Sequence, residues 1–128
     1  MTDSKLHRGL AIEEQACRYL LISRRQEEAR IIARNYRWRG GEIDIVLEEN
    51  RRNGAIELVF VEVRARTGDF WVSGIESVGF RKQLRLRRSI ERYLARYSGR
   101  ARTVRVDILA WDGKRWEEAR NVGLGGCS

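Results

Sequence analysis

The sequence predicts a mixed α/β domain: a central mixed sheet flanked by helices, in the order helix, strand, strand, strand, helix, strand. Three observations carry this reading. Residues 5–22 and 76–97 repeat their apolar positions at helical spacing. Residues 42–48, 56–65 and 103–110 are short runs rich in Ile, Val, Leu and Phe. The two kinds of segment are interleaved along the chain, which favours helices packed on a sheet over separate all-helical and all-strand parts. The 128 residues suit one domain of common size, in which roughly two thirds of the unfolded surface can be buried. That domain is expected over residues 1–120, with a flexible tail at 121–128.

In the first helix, Leu6, Leu10, Cys17 and Leu20 share one face. Glu13 falls in the middle of that stripe and Glu14 at its edge. Residues 29–36 read as a strand, and Gly40-Gly41 marks a turn. Residues 42–48 and 56–65 read as two strands joined by the polar segment 50–54, whose Asn53-Gly54 pair is a strong hairpin signal. Residues 67–74 form a loop with two glycines and Trp71. In the second helix Leu86, Ile90, Tyr93, Leu94 and Tyr97 share a face. Arg81, Arg85, Arg88, Arg92 and Arg96 fall mostly on the other, and Leu84 does not fit the stripe. Residues 103–110 form a further strand, and Lys114 to Glu118 suit a short edge strand.

Composition narrows the function classes. The net charge of +8 favours polyanion partners, nucleic acid first. The two cysteines, Cys17 and Cys127, form neither a disulfide framework nor a zinc pattern, which points to the cytoplasm. The single His7 excludes most histidine-based metal sites. No 18-residue apolar run exists, so no membrane span is expected. Residues 1–10 are polar and lack a signal-peptide core.

Two carboxylates break this pattern. Glu62 interrupts the most apolar run, Leu58 to Arg64, and Asp44 interrupts Glu42 to Leu47. A buried carboxylate is costly unless it is paired or holds a cation. Strand alternation puts Glu42 and Asp44 on one face, with Ile43, Ile45 and Leu47 on the other. It puts Glu62 with Arg64, opposite Val61 and Val63. If the two strands pair as a hairpin, Asp44 and Glu62 face one cleft. Two carboxylates with water and a phosphate oxygen suit octahedral Mg²⁺, which polarises a phosphoryl group.

Further blocks accompany them: Gly41-Glu42-Ile43-Asp44-Ile45, Val59-Phe60-Val61-Glu62-Val63-Arg64-Ala65-Arg66, Lys82-Gln83 with Leu86, and Val104-Arg105-Val106-Asp107-Ile108. Over roughly residues 8–111 these resemble the bacterial YraN-like family of uncharacterised proteins. That family is similar to the PD-(D/E)XK nucleases of restriction-endonuclease-like fold and to archaeal Holliday-junction resolvases. The resemblance implies Asp44 and Glu62 as metal ligands, Arg64 in the place of the usual catalytic lysine, and Glu13 as the first-helix acid. Lys82, Gln83, Arg66 and Arg85 are the expected nucleic-acid contacts. Two departures stand out. Arginine at 64 is a fixed cation that can stabilise charge but cannot act as a base. Ile12 stands where the family usually has glycine.

The same residues have structural readings. Asp44 can accept from a backbone amide, Glu62 can pair with Arg64 or Lys82, and Glu13 with a strand arginine. Asp107 can pair with an arginine at the sheet edge. Trp38 and Trp71 suit base stacking on the one hand and core packing or loop anchoring on the other equally, and the arginine face of the second helix suits a solvated surface. The favoured expectation is a Mg²⁺- or Mn²⁺-dependent nuclease. The alternatives are a non-catalytic nucleic-acid-binding module and a structural or interaction protein, with a homodimer left open. DNA is the first choice of partner, and branched and linear substrates are not distinguished.

Overall fold

The computed structural model describes residues 4–65 and 79–124. Along them run α1 (Ser4–Ser23), a single 3₁₀ turn, β1 (Arg30–Trp38), β2 (Gly41–Asn50), β3 (Ile56–Ala65), α2 (Phe80–Arg96), β4 (Thr103–Trp111) and β5 (Trp116–Ala119). The expected order of elements is observed, with the short edge strand present as β5. The loop 67–74 with Trp71, the helix start at 76–78 and Arg66 lie outside the described residues. So does Cys127.

The strands form one mixed sheet in the order β1-β2-β3-β4-β5. β1–β2, β2–β3 and β4–β5 pair antiparallel, while β3 and β4 pair parallel. A parallel pair needs a long crossover, and α2 lies within it. The β2–β3 hairpin turns at Asn53-Gly54, where Gly54 takes φ +83°, a conformation that favours glycine. The Asn53 side chain accepts from Ala55 N at 2.9 Å, closing the turn.

Alternation along β2 and β3 divides the core. Ile45, Leu47, Val59 and Val61 pack with Leu109 against Ala16, Cys17 and Leu20 of α1. Val46, Leu58 and Phe60 pack with Val106 against Leu86 and Ile90 of α2. Tyr93, Leu94 and Tyr97 extend that second cluster, as the helical stripe predicts. Arg81, Arg85, Arg88, Arg92 and Arg96 are all exposed.

Two expectations are corrected. Ile43 does not share a face with Ile45 and Leu47. It belongs to the α2-side cluster, and they belong to the α1-side cluster. The pairing of β2 with β3 ends at Ile45↔Val61, whereas its pairing with β1 continues to Gly41. Before Ile45, β2 therefore follows β1, and strict alternation fails where the strands part. The segment from 121 is not a free tail throughout. Val122 N donates to Val106 O at 2.8 Å, Asn121 N donates to Asp107 Oδ1 at 2.9 Å, and Val122 and Leu124 cover the α2-side cluster. Residues 125–128 lie outside the described residues.

A network of buried charge ties the far end of the sheet together. Arg24, just after α1, is fully buried. Its Nη1 meets Glu49 at 2.8 Å and Asp107 at 2.9 Å, and its Nη2 meets Glu118. Arg105 joins Glu49, Glu57 and Asp107, each at 2.9 Å. Asp107 thus has the arginine partner expected of it, inside the protein rather than at an edge.

Candidate functional site

The point where β2 leaves β3 is where the two acids meet. The next rung of the ladder after Ile45↔Val61 would pair Asp44 with Glu62, and it is missing. Instead the Asp44 side chain takes the backbone amide: Val63 N donates to Asp44 Oδ2 at 2.8 Å. Burial is the largest influence on Asp44 and pushes its pKa up. The Glu62 charge and a hydrogen bond between the two carboxyls add to this, as does the Glu13 charge. The Val63 amide opposes them, and the result is about 8 against the usual 3.8. Three carboxylates from α1, β2 and β3 therefore share one electrostatic neighbourhood.

Glu62 is 4% exposed, and its Oε2 lies 2.9 Å from Lys82 Nζ of α2. Lys82 is thus the partner of Glu62. Arg64 is half-buried, and its Nη1 is buried without a hydrogen-bond partner among the described residues. A buried donor left unpaired is costly, so it marks a place where an acceptor is wanted. Glu13 is half-buried on α1. The carboxylate paired with a strand arginine is its neighbour Glu14, 3.0 Å from Arg34 Nη2.

A groove of about 1430 Å³ opens over Glu62, between the β1–β2 turn and the first half of α2. Six cations line it (Arg37, Arg39, Arg81, Lys82, Arg85 and Arg88) against two acids, Glu42 and Glu62. Arg37 is engaged with Glu42 at 3.4 Å and Lys82 with Glu62. Arg39, Arg81, Arg85 and Arg88 have no carboxylate within ion-pair distance among the described residues. Gln83 is half-buried on the same helix.

Trp38 holds the turn against α2. Its Nε1 donates to Ser89 Oγ at 2.7 Å, Ser89 Oγ donates to Arg85 O at 2.8 Å, and the Arg92 guanidinium lies 5.0 Å from the indole centroid. Trp38 thus anchors the turn, and it also lines the groove. Sequence reasoning missed Arg37, Arg39, Arg81 and Arg88 as groove residues. The run Arg37-Trp38-Arg39-Gly40-Gly41 was the available signal, an aromatic between two cations beside a tight turn.

The donors fit a hard divalent cation in type. Mg²⁺ and Mn²⁺ are commonly held by one or two carboxylates and several waters. Asp44 and Glu62 form such a pair, and Asp44 has no cationic partner within ion-pair distance among the described residues. No group of three or more Asp, Glu, His or Cys side chains converges as a metal cage among the described residues.

Fold and site together define a small mixed α/β domain with a carboxylate pair beside a basic groove. The chain belongs to UPF0102, an uncharacterised protein family whose profile matches residues 12–111. A UPF0102 protein of Burkholderia pseudomallei (strain 1106a) is 40% identical over 112 residues, covering 88% of this chain and 72% of the relative. One from Burkholderia thailandensis is 42% identical over 109 residues, covering 84% and 68%. No described helix is long and apolar enough to cross a membrane.

Proposed function

We propose that this protein binds nucleic acid, DNA first, and hydrolyses its phosphodiester bonds with Mg²⁺ or Mn²⁺, on a restriction-endonuclease-like fold. The observation that carries the reading is the Asp44–Glu62 pair beside a groove lined by six cations. A second negative charge beside Glu62 is costly, in keeping with the raised pKa of Asp44, and a divalent cation would offset that cost and let both groups ionise. The observed order of elements and the resemblance noted from the sequence support the fold assignment.

Asp44 and Glu62 would hold the cation. When bound, the cation supplies Lewis-acid polarisation of the phosphoryl oxygen. Val63 N–H fixes the rotamer of Asp44, so the carboxylate is preorganised. Arg64 carries a permanent charge and a buried unpaired donor, suited to negative charge developing on phosphoryl oxygens. Glu13 adds negative charge to the same neighbourhood. Arg39, Arg81, Arg85 and Arg88 would bear on backbone phosphates without reading sequence. In the reaction, water adds to phosphorus and one P–O ester bond breaks, leaving a phosphomonoester end and a hydroxyl end.

One observation favours a second reading. Glu62 pairs with Lys82 and Asp44 takes a backbone amide, so both acids also have structural partners. A non-catalytic binding module would keep them for that reason. The deciding experiment is a cleavage screen on branched, flapped and linear DNA in Mg²⁺ and in Mn²⁺. Cleavage abolished by Asp44→Asn and by Glu62→Gln, with binding retained, supports the nuclease. Binding without cleavage of any substrate, and no change in melting on adding Mn²⁺, supports the module.

A further inference from the structure

The Lys82–Glu62 pair joins the two halves of the site, because Glu62 belongs to the acid pair and Lys82 to the groove. Glu62 is anchored in β3 and almost fully buried, whereas the Lys82 side chain is 54% exposed on the first turn of α2. The pair is therefore asymmetric: one charge is fixed and the other swings on a flexible four-carbon stem. Lys82 is also flanked in the groove by Arg81 and Arg85, where an incoming phosphate would sit.

Resting on the proposed metal and nucleic-acid reading of this site, we infer that Lys82 is an exchangeable counter-ion. With the site empty, its ammonium neutralises Glu62. When a divalent cation takes Glu62, Lys82 is released to a backbone phosphate in the groove. Both partners it can choose are anions, so its total pairing is conserved and only the partner changes. Metal and nucleic acid then help each other: the cation frees Lys82 for phosphate, and phosphate draws Lys82 away from the carboxylate. Coupling of this kind is reciprocal by linkage. Lysine suits the role better than arginine, whose planar fork grips a carboxylate bidentately.

The test measures Mn²⁺ binding by calorimetry, with and without a short DNA duplex, using parent, Lys82→Met, Lys82→Arg and Asp44→Asn. Parent is expected to bind Mn²⁺ more tightly with DNA present. Lys82→Met is expected to bind Mn²⁺ at least about fivefold more tightly than parent without DNA, and to lose most of the gain from DNA. Lys82→Arg is expected to keep the competition. Circular dichroism guards against misfolding, which this half-exposed position should not cause. If Mn²⁺ binds parent in an Asp44-dependent way but Lys82→Met binds no more tightly, the exchange is overturned and the metal site stands. If Mn²⁺ binds neither protein, both readings fall.

Discussion

Ionising Asp44 places a charge beside another carboxylate and largely out of water. Because its pKa is raised to about 8, folding favours the protonated form. The stability this contributes is complete below the ordinary value near 3.8 and is lost as pH rises through about 8. Asp44→Asn keeps the acceptor for Val63 N and removes the charge. Without metal, its melting temperature should exceed that of the parent at pH 9, by on the order of 1–3 kcal/mol in stability. The difference should narrow at pH 6. Parallel melting curves across that range would show that the carboxylate is not strained. Glu62→Gln should be mild by comparison. It leaves a half-exposed Lys82 that water can solvate, so the loss should stay within about 1 kcal/mol. A loss of several kcal/mol in a urea titration would mean that the half-buried Arg64 also depends on the Glu62 charge.

The β1–β2 turn depends on the absence of a side chain at residue 41. A Cβ there would lie 2.6 Å from Ser89 Oγ and 3.3 Å from Arg85 O. Ser89 is itself held between Trp38 and the α2 backbone, so it has little room to move. Gly41→Ala should cost about 1–3 kcal/mol by overpacking. Ser89→Ala should cost about 1–2 kcal/mol, because the Trp38 indole N–H loses its acceptor. The double variant removes the obstructing hydroxyl, so its cost should fall short of the sum of the singles. Additive costs would show that the turn does not bear on α2 through Ser89. The hairpin turn at Asn53-Gly54 and the apolar stripe of α2 were both legible in the sequence, since each follows from spacing over a few residues. The docking of the first turn on α2 was not, since it joins residues about fifty positions apart.

Two features act over the whole molecule. In the buried network, burial pushes Asp107 and Glu118 up, but their bonds to arginine and the nearby positive charges outweigh it and hold both below their usual values. The stability they contribute is therefore present above about pH 4–5 and lost as pH falls through the lowered values. Arg24→Met leaves Glu49 and Asp107 with Arg105 alone and Glu118 with the more exposed Arg120, and should cost roughly 3–5 kcal/mol at pH 7. The penalty should shrink toward pH 3 as Asp107 and Glu118 protonate, which urea titrations at the two pH values would reveal. An equal penalty at both would assign the loss to packing. The second feature is the net charge of +8 with its basic groove. If at least ~4 phosphates are contacted, log K for DNA should fall with log salt at a slope of about −3.6 or steeper. Arg85→Ala should lessen that slope by about 1, while Arg96→Ala, which does not line the groove, should leave it unchanged. Salt-independent binding would point to a protein partner.

The order of helices and strands, the hairpin turn and the presence of Asp44 and Glu62 as acids within apolar strands were determined by the sequence itself. Each rests on a local period or on an acid interrupting an apolar run, and both survive without knowledge of distant neighbours. Tertiary structure alone decided the face of Ile43, which turns on where β2 parts from β3. It also decided that Glu62 meets Lys82 rather than Arg64, that Arg24 is buried among acids from three strands, and that residues 121–124 dock. Lys82 comes from a different element and Arg64 from the same strand, and spacing cannot choose between them. Charged side chains can satisfy themselves across any sequence separation, so their partners are set by how elements pack.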